Sequence, residues 1–341
     1  MRITNEKLTE LINYKPELTR QPDFSVFWEN NLKQIFENEN YPKFLRLDLK
    51  EYSYPLRNIK VYKATMPAID GTLIHGWYLY PAQANEENKV PALVRFHGYS
   101  SNKGKLCELL LWALQGYAVL AFDVRGQCGD TPDNRVYTTG SFAGWLTRGL
   151  SSPQDYYYRQ VYLDCVQQIE ALARRPEVSA DKIGLFGNSQ GAALAIISAG
   201  LLTKFSPLFP QLTAKVAIVN AAIPFLSDIE KAYREHSDGP WTELDWYFRM
   251  FDPFHKQEDK VFEILSYFDA MNFAPWVSCP VLMAVALKDT TCPPATAYAL
   301  YNHLAGPKRI IPYVDYAHES IDNHTDEQIV FFAQKLLDKI T

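Results

Sequence analysis

The stretch 182–196, KIGLFGNSQGAALAI, constrains this chain more than any other. A short apolar run, Ile183-Gly184-Leu185-Phe186, leads into Gly187-Asn188-Ser189-Gln190-Gly191 and then into the alanine-rich Ala192-Ala193-Leu194-Ala195-Ile196. The pattern predicts a buried strand, a sharp turn and a helix, which is the setting a G-x-S-x-G turn requires. A serine at the apex of such a turn has a crowded backbone, so its flanking positions must be small, and glycine fills both. The helix from Gln190 aims free N–H groups and its positive dipole end at the serine, where negative charge would develop during acyl transfer. Ser189 is therefore the candidate nucleophile.

The rest of the chain arranges itself around that turn. Upstream, 92–96 and 117–124 read as strands separated by a helix over 103–115, and a long helix over 157–174 precedes the strand that carries Ser189. Downstream, strands over 216–220, 281–287 and 309–314 accompany helices over 294–304 and 326–340. This alternation implies right-handed crossovers and a mostly parallel, twisted sheet flanked by helices, an α/β fold. Residues 1–50 read as a helical extension, with Phe24, Phe27, Trp28, Leu32, Ile35 and Phe36 at helical spacing after Pro22-Asp23. Segments 56–65 and 73–80 read as antiparallel edge strands about the turn Ile69-Asp70-Gly71. The aromatic-rich span 224–276 is expected to be a helical, cap-like insertion near the site, within a single domain covering 1–341.

Serine is a weak nucleophile at neutral pH, so it needs a base and a group that orients the base. In the α/β-hydrolase fold these follow in chain order, after later strands. Asp289 closes the strand-like 281–288 and opens the loop Thr290-Thr291-Cys292-Pro293, while His318 follows the last strand. His324 is the other histidine in range; it is expected to begin the last helix and face solvent. Asp315 and Asp322 compete with Asp289 but lie too near His318 in sequence to reach its far nitrogen from a separate loop. Glu319 either adds charge beside His318 or is solvated. The oxyanion hole pairs the Gln190 N–H with a second donor from His97-Gly98-Tyr99-Ser100. There Gly98 lets the backbone turn inward, the Tyr99 N–H is the donor, and His97 is structural.

With 341 residues, 47% of them hydrophobic, the chain can bury a large core. Its net charge of −5 shows no basic excess, which argues against nucleic acid or an anionic membrane surface as partner. No run of about 18 uncharged apolar residues occurs and the start lacks a signal-peptide core, so a cytoplasmic location is expected. The five cysteines are odd in number and lack C-x-x-C spacing, which argues against a disulfide framework or a zinc site. They read as buried or idle thiols, and the chemistry calls for neither metal nor organic cofactor.

Three strings carry a family likeness: Arg125-Gly126-Gln127, Gly187-Asn188-Ser189-Gln190-Gly191 and His318-Glu319. In this order they resemble the R-G-Q, G-x-S-Q-G and H-E signature of the acetyl xylan esterase and cephalosporin C deacetylase family, carbohydrate esterase family seven. The likeness extends to Pro22-Asp23-Phe24, Phe96-His97-Gly98-Tyr99, Thr147-Arg148-Gly149 and Tyr156-Tyr157-Tyr158-Arg159. The resemblance implies Ser189 as nucleophile, Asp289 as orienting acid, His318 as base, the Tyr99 and Gln190 amides as oxyanion hole, and Arg125 and Gln127 as braces of the site. It implies a serine carboxylesterase that deacetylates small carbohydrates such as xylo-oligosaccharides, and cephalosporin C, as a homohexamer. Cys128 stands where the family has another glycine, and Asn188 and Ala192 where its elbow carries small residues. Two other functions fit the fold: a serine peptidase, for which no propeller-like repeats precede the catalytic part, and a non-catalytic binding protein, which would be expected to lack a triad member.

Overall fold

The computed structural model describes residues 5–137 and 144–337. Among these, nine strands form one sheet: β1 Asp48–Glu51, β2 Ile59–Pro67, β3 Leu73–Pro81, β4 Val90–Phe96, β5 Ala118–Phe122, β6 Val178–Asn188, β7 Val216–Ala222, β8 Val281–Ala286 and β9 Lys308–Tyr313. Their order is β1-β2-β3-β5-β4-β6-β7-β8-β9. The pairs β1–β2, β2–β3 and β3–β5 are antiparallel, and every pairing from β5 to β9 is parallel.

Parallel strands covered on both faces must be apolar on both. In β5, Ala118 and Leu120 join one core while Val119 and Ala121 join the other. The helices Tyr157–Ala173 and Gln190–Phe205 cover the first face. The second is covered by Leu106–Ala113 and Asp322–Leu336, which contribute Leu109, Trp112, Phe332 and Leu336. Within the helix after the elbow, Leu194, Ile196, Ile197 and Leu201 are fully buried, each burial contributing about 1.5–3 kcal/mol. Taken as far as Leu208 that helix is long and apolar enough to cross a membrane, yet 72% of its most apolar window is buried inside the protein. A helix apolar all round and packed on every side is a core helix.

Element ends shift by a few residues from the sequence reading, and two differences matter more. β1 has only one apolar residue in Asp-Leu-Lys-Glu, so no alternation marked it. The last helix starts at Asp322 instead of 326, with Asp322 as its acidic first turn; residues 338–340 of the expected helix lie outside the described residues.

The aromatic stripe of the helix Phe24–Phe36 packs inward. Trp28 donates its ring N–H to the Tyr267 carbonyl at 3.0 Å and lies against Tyr162, Phe268 and Phe273. Between β7 and β8 the chain forms the helices Ile229–Glu235, Thr242–Phe251, Glu258–Ser266 and Ala270–Phe273. Trp241, Phe248, Phe268 and Phe273 of this segment are buried, whereas Trp246, Phe251 and Phe254 are exposed.

Candidate active site

β6 ends at Asn188 and the next helix begins at Gln190, so Ser189 alone makes the turn, with φ 56° and ψ −119°. A side chain at positive φ is sparsely populated and must be held there by its surroundings. The Ser189 N–H donates to the Ala222 carbonyl of β7 at 2.9 Å, and the Ser189 carbonyl accepts from Phe225 at 3.1 Å and Ala192 at 3.0 Å. A Cβ at Gly187 would lie 2.4 Å from the Gly191 carbonyl carbon, and one at Gly191 would lie 2.1 Å from the Phe96 oxygen. Close approach of backbone therefore demands both glycines. The segment after β7 adds further strain, with Ile223, Leu226 and Asp228 all in the left-handed region.

Asp289 follows β8 and His318 follows β9, which brings both to the carboxyl ends of the strands, the edge at which Ser189 ends β6. The His318 Nδ1–H donates to Asp289 Oδ2 at 2.9 Å, while Asp289 Oδ1 accepts the backbone N–H groups of Thr291 at 2.8 Å and Cys292 at 2.7 Å. The Asp289 side chain is fully buried and that of His318 is 30% exposed. Among the described residues Nε2 of His318 has no protein partner, which leaves it open to take a proton. Ser189 is 6% exposed, and its hydroxyl meets the Cys292 thiol. Burial pushes that thiol well above its ordinary range, the Asp289 charge adds to this, and the hydrogen bond with Ser189 opposes it. Cys292 is buried, as one arm of the expectation for the cysteines had it; its place beside Ser189 is what the sequence did not indicate. Donor atoms of Asp289, Cys292 and His318 lie within 4.8 Å of one another, so these are residues that could take a metal, although both oxygens of Asp289 are already engaged.

The competing residues sit elsewhere. Asp315 pairs with Lys288 at 2.6 Å, Asp322 occupies the first turn of the last helix, and Glu319 accepts the Ala317 N–H at 3.2 Å. His324 does not face solvent as expected from its position at a helix start. It is 2% exposed, with Nε2 3.0 Å from Asn220 Nδ2 and Nδ1 3.2 Å from the Tyr313 hydroxyl, and burial lowers its pKa to about 4. The helix begins earlier than the pattern indicated, which turns this residue toward β7.

On the other side of Ser189, the chain leaves β4 at Phe96. The His97 Nδ1–H donates to the Gly98 carbonyl at 2.8 Å and Nε2 accepts the Val124 N–H at 2.8 Å. Burial lowers the pKa of His97 to about 4, so the ring is a neutral brace at pH 7. A Cβ on Gly98 would lie 3.9 Å from that of Ser189, so this loop rests on the elbow. The backbone N–H groups of Tyr99 and Gln190 have no acceptor among the described residues.

Beneath the elbow lies a saturated polar network. Arg125, fully buried, donates to Asp164 at 2.7 and 2.9 Å and to both oxygens of Asp70. Gln127 and Gln190 exchange amide hydrogen bonds at 2.9 and 3.2 Å. Tyr157 donates to the Arg125 carbonyl and Tyr158 to Gln190 Oε1. A cleft of about 380 Å³ lined by Gly98, Asn188, Ile223 and Ile321 borders the elbow, and the side-chain oxygen of Asn188 is buried without a partner among the described residues. A cavity of about 750 Å³, lined by Lys63 and Trp77, lies over β1–β3 and shares no residue with this cluster.

The sheet order, the elbow and the chain order serine, aspartate, histidine define an α/β-hydrolase of the serine type. The chain belongs to the acetyl xylan esterase (AXE1) family, whose model matches residues 1–336. It is 28% identical over 333 residues to an acetyl esterase of Xylanibacter ruminicola, covering 92% of this chain and 69% of that relative. An acetyl xylan esterase from a Paenibacillus species superposes with a TM-score of 0.89 at 41% identity, over 96% of this chain and 99% of that one. Acetyl xylan esterase 1 from a Thermoanaerobacterium species does so at 0.87 and 32%, over 98% and 99%.

Proposed function

We propose that this chain is a serine carboxylesterase that removes acetyl groups from small acetylated carbohydrates, xylo-oligosaccharides among them, with cephalosporin C as a further substrate. The observation that carries the reading is the 2.9 Å bond from His318 to Asp289, whose far ring nitrogen stays open at the strand edge that presents Ser189. Nε2 of His318 takes the proton of Ser189 as the hydroxyl oxygen attacks the acetyl carbonyl. Negative charge on the carbonyl oxygen is met by the N–H groups of Tyr99 and Gln190, which need no reorganisation to receive it. His318 then gives its proton to the departing sugar oxygen, leaving acetyl-Ser189 and an alcohol. Water enters, loses a proton to His318 and releases acetate, restoring the serine. Asp289 holds the ring through Nδ1 and steadies the imidazolium formed in each half.

Hydroxyl–imidazole contacts in unliganded serine hydrolases are often loose and tighten with substrate. Ser189→Ala is expected to lower kcat for 4-nitrophenyl acetate by about 10⁵- to 10⁶-fold; ordinary turnover by that variant would end the reading. A panel of esters from acetyl to octanoyl, with acetylated xylose and cephalosporin C, tests the acyl preference, which should fall steeply beyond two carbons.

Self-association as a homohexamer fits the exposed Trp246, Phe251 and Phe254 of the segment between β7 and β8, large apolar side chains that a partner subunit would cover. Light scattering should report six times the 39.1 kDa chain, and a monomer would refute it.

A further inference from the structure

We propose that Glu243 is a positioning residue for the oxyanion hole: through the Tyr99 phenol it fixes the loop that supplies one of the two oxyanion N–H groups. The proposal rests on the esterase reading above. Glu243 lies in the first turn of the helix Thr242–Phe251, and its carboxylate joins three separated parts of the chain. Oε1 accepts the Tyr99 hydroxyl at 2.6 Å and Oε2 accepts the Leu146 N–H at 2.9 Å, while the Tyr99 oxygen accepts the N–H groups of Trp145 at 2.8 Å and Leu146 at 3.0 Å. The fit is tight, since a Cβ at Gly144 would lie 2.1 Å from the Glu243 carboxylate. The Tyr99 ring is held edge-on by Trp145 and Phe225, and the Phe225 N–H donates to the Ser189 carbonyl. Ring, hydroxyl and backbone of Tyr99 are thereby fixed relative to the nucleophile.

No salt bridge neutralises Glu243 among the described residues. The titratable and charged groups that act on it are Tyr99, Tyr156 and Arg148, and Arg148 is itself drawn to Asp133. A part-buried carboxylate without a cation is a poor stabilising device, because its desolvation is only partly offset by hydrogen bonds. What it provides is orientation: charge-assisted bonds are short and directional, and an oxyanion donor is effective only when placed within tenths of an ångström.

The experiment measures kcat and KM for 4-nitrophenyl acetate, per active site counted by the endpoint of fluorophosphonate labelling, which removes any unfolded fraction. Glu243→Ala is expected to lower kcat about 10- to 100-fold, with KM little changed. Tyr99→Phe keeps the backbone donor and loses only the hydroxyl, so it should fall equally far, and the double variant should fall no further than either single one. Glu243→Gln keeps one accepting oxygen and should rescue part of the loss. Its deficit should shrink as pH falls, because protonation costs the wild-type carboxylate the same acceptor and burial places that protonation above the ordinary glutamate range. A Glu243→Ala kcat within about twofold of wild type, or a double variant whose loss is the product of the two single losses, overturns the proposal. Ser189→Ala, which takes no fluorophosphonate and is therefore assayed per mole of folded protein, separates the two ideas: retained turnover overturns the esterase reading and this proposal with it, whereas a dead Ser189→Ala beside an unimpaired Glu243→Ala overturns this proposal alone.

Discussion

His318 keeps one ring nitrogen without a protein partner among the described residues, while Gln190, adjacent to Ser189 in the chain, has its side-chain amide fully engaged. The Gln190 oxygen accepts from Gln127 and Tyr158, and its nitrogen donates to Gln127 and to the His97 carbonyl. The same contrast holds between the half-open Asp289–His318 pair and the fully buried Arg125 between Asp164 and Asp70. A buried polar group left unpaired costs about 1–3 kcal/mol, so the supporting layer is saturated. A reacting group must keep a vacancy for the proton it moves, so it sits where water and substrate can complete it. The two layers should therefore fail differently, one in rate and the other in stability.

The widest separation is expected at Asp289→Asn. Oδ1 of residue 289 is anchored by two backbone N–H groups, so an asparagine would keep its oxygen there and turn its NH₂ toward His318 Nδ1. The ring then has to carry its proton on Nε2, where it cannot act as base, and kcat should fall by about 10⁴-fold. The urea midpoint should stay near that of wild type, because both anchoring bonds survive. An active Asp289→Asn, or one that unfolds, would place Asp289 with the supporting layer.

The reverse outcome is expected at Arg125→Met. Removing the guanidinium leaves Asp164 and Asp70 facing each other without a cation, which should cost about 3–5 kcal/mol in urea unfolding. Turnover per folded active site should drop by less than an order of magnitude. A stable but inactive Arg125→Met would move this residue into the reacting layer and erase the contrast.

The strands, the elbow and the positions of Asp289 and His318 were legible because each is a local signal, an apolar run with turn residues or a polar residue at a strand end. What escaped depends on contacts made across the chain. Glu243 meets Tyr99 over 144 residues, and nothing in Thr242-Glu243-Leu244 announces a carboxylate turned inward. Cys292 was read as a buried or idle thiol and is buried, but that the fold brings it to Ser189 is a contact no local pattern shows. β1 is short and charged, so its pairing with β2 rests on backbone bonds that leave no hydrophobic pattern. The error at His324 arose from helix register: at a helix start it was expected to face solvent, while a start at Asp322 turns it onto Asn220 and Tyr313.

That misread histidine supplies the smallest test of the contrast, because it is the buried, saturated counterpart of His318. Its Nε2 lies against the Asn220 amide nitrogen as acceptor, so the ring is held neutral, and burial lowers its pKa to about 4. The unfolded chain takes up a proton near pH 6.5 that the folded ring refuses until about pH 4. Stability from this group is therefore present above pH 6.5 and is lost as pH falls toward 4, amounting to about 2 kcal/mol between pH 7 and pH 5. His97 behaves in the same sense, and Asp269, raised to about 7 by burial and the charge of Asp228, in the opposite one, so the net pH profile of the wild type mixes them. Comparison with His324→Gln cancels both. The variant is expected to be the less stable protein at pH 7, and its deficit should shrink by about 1–2 kcal/mol at pH 5, read as urea unfolding of both proteins at each pH. A deficit that stays constant between the two pH values would mean that His324 titrates freely, as a solvent-facing ring would, and the line drawn between the two histidines would then have no physical basis.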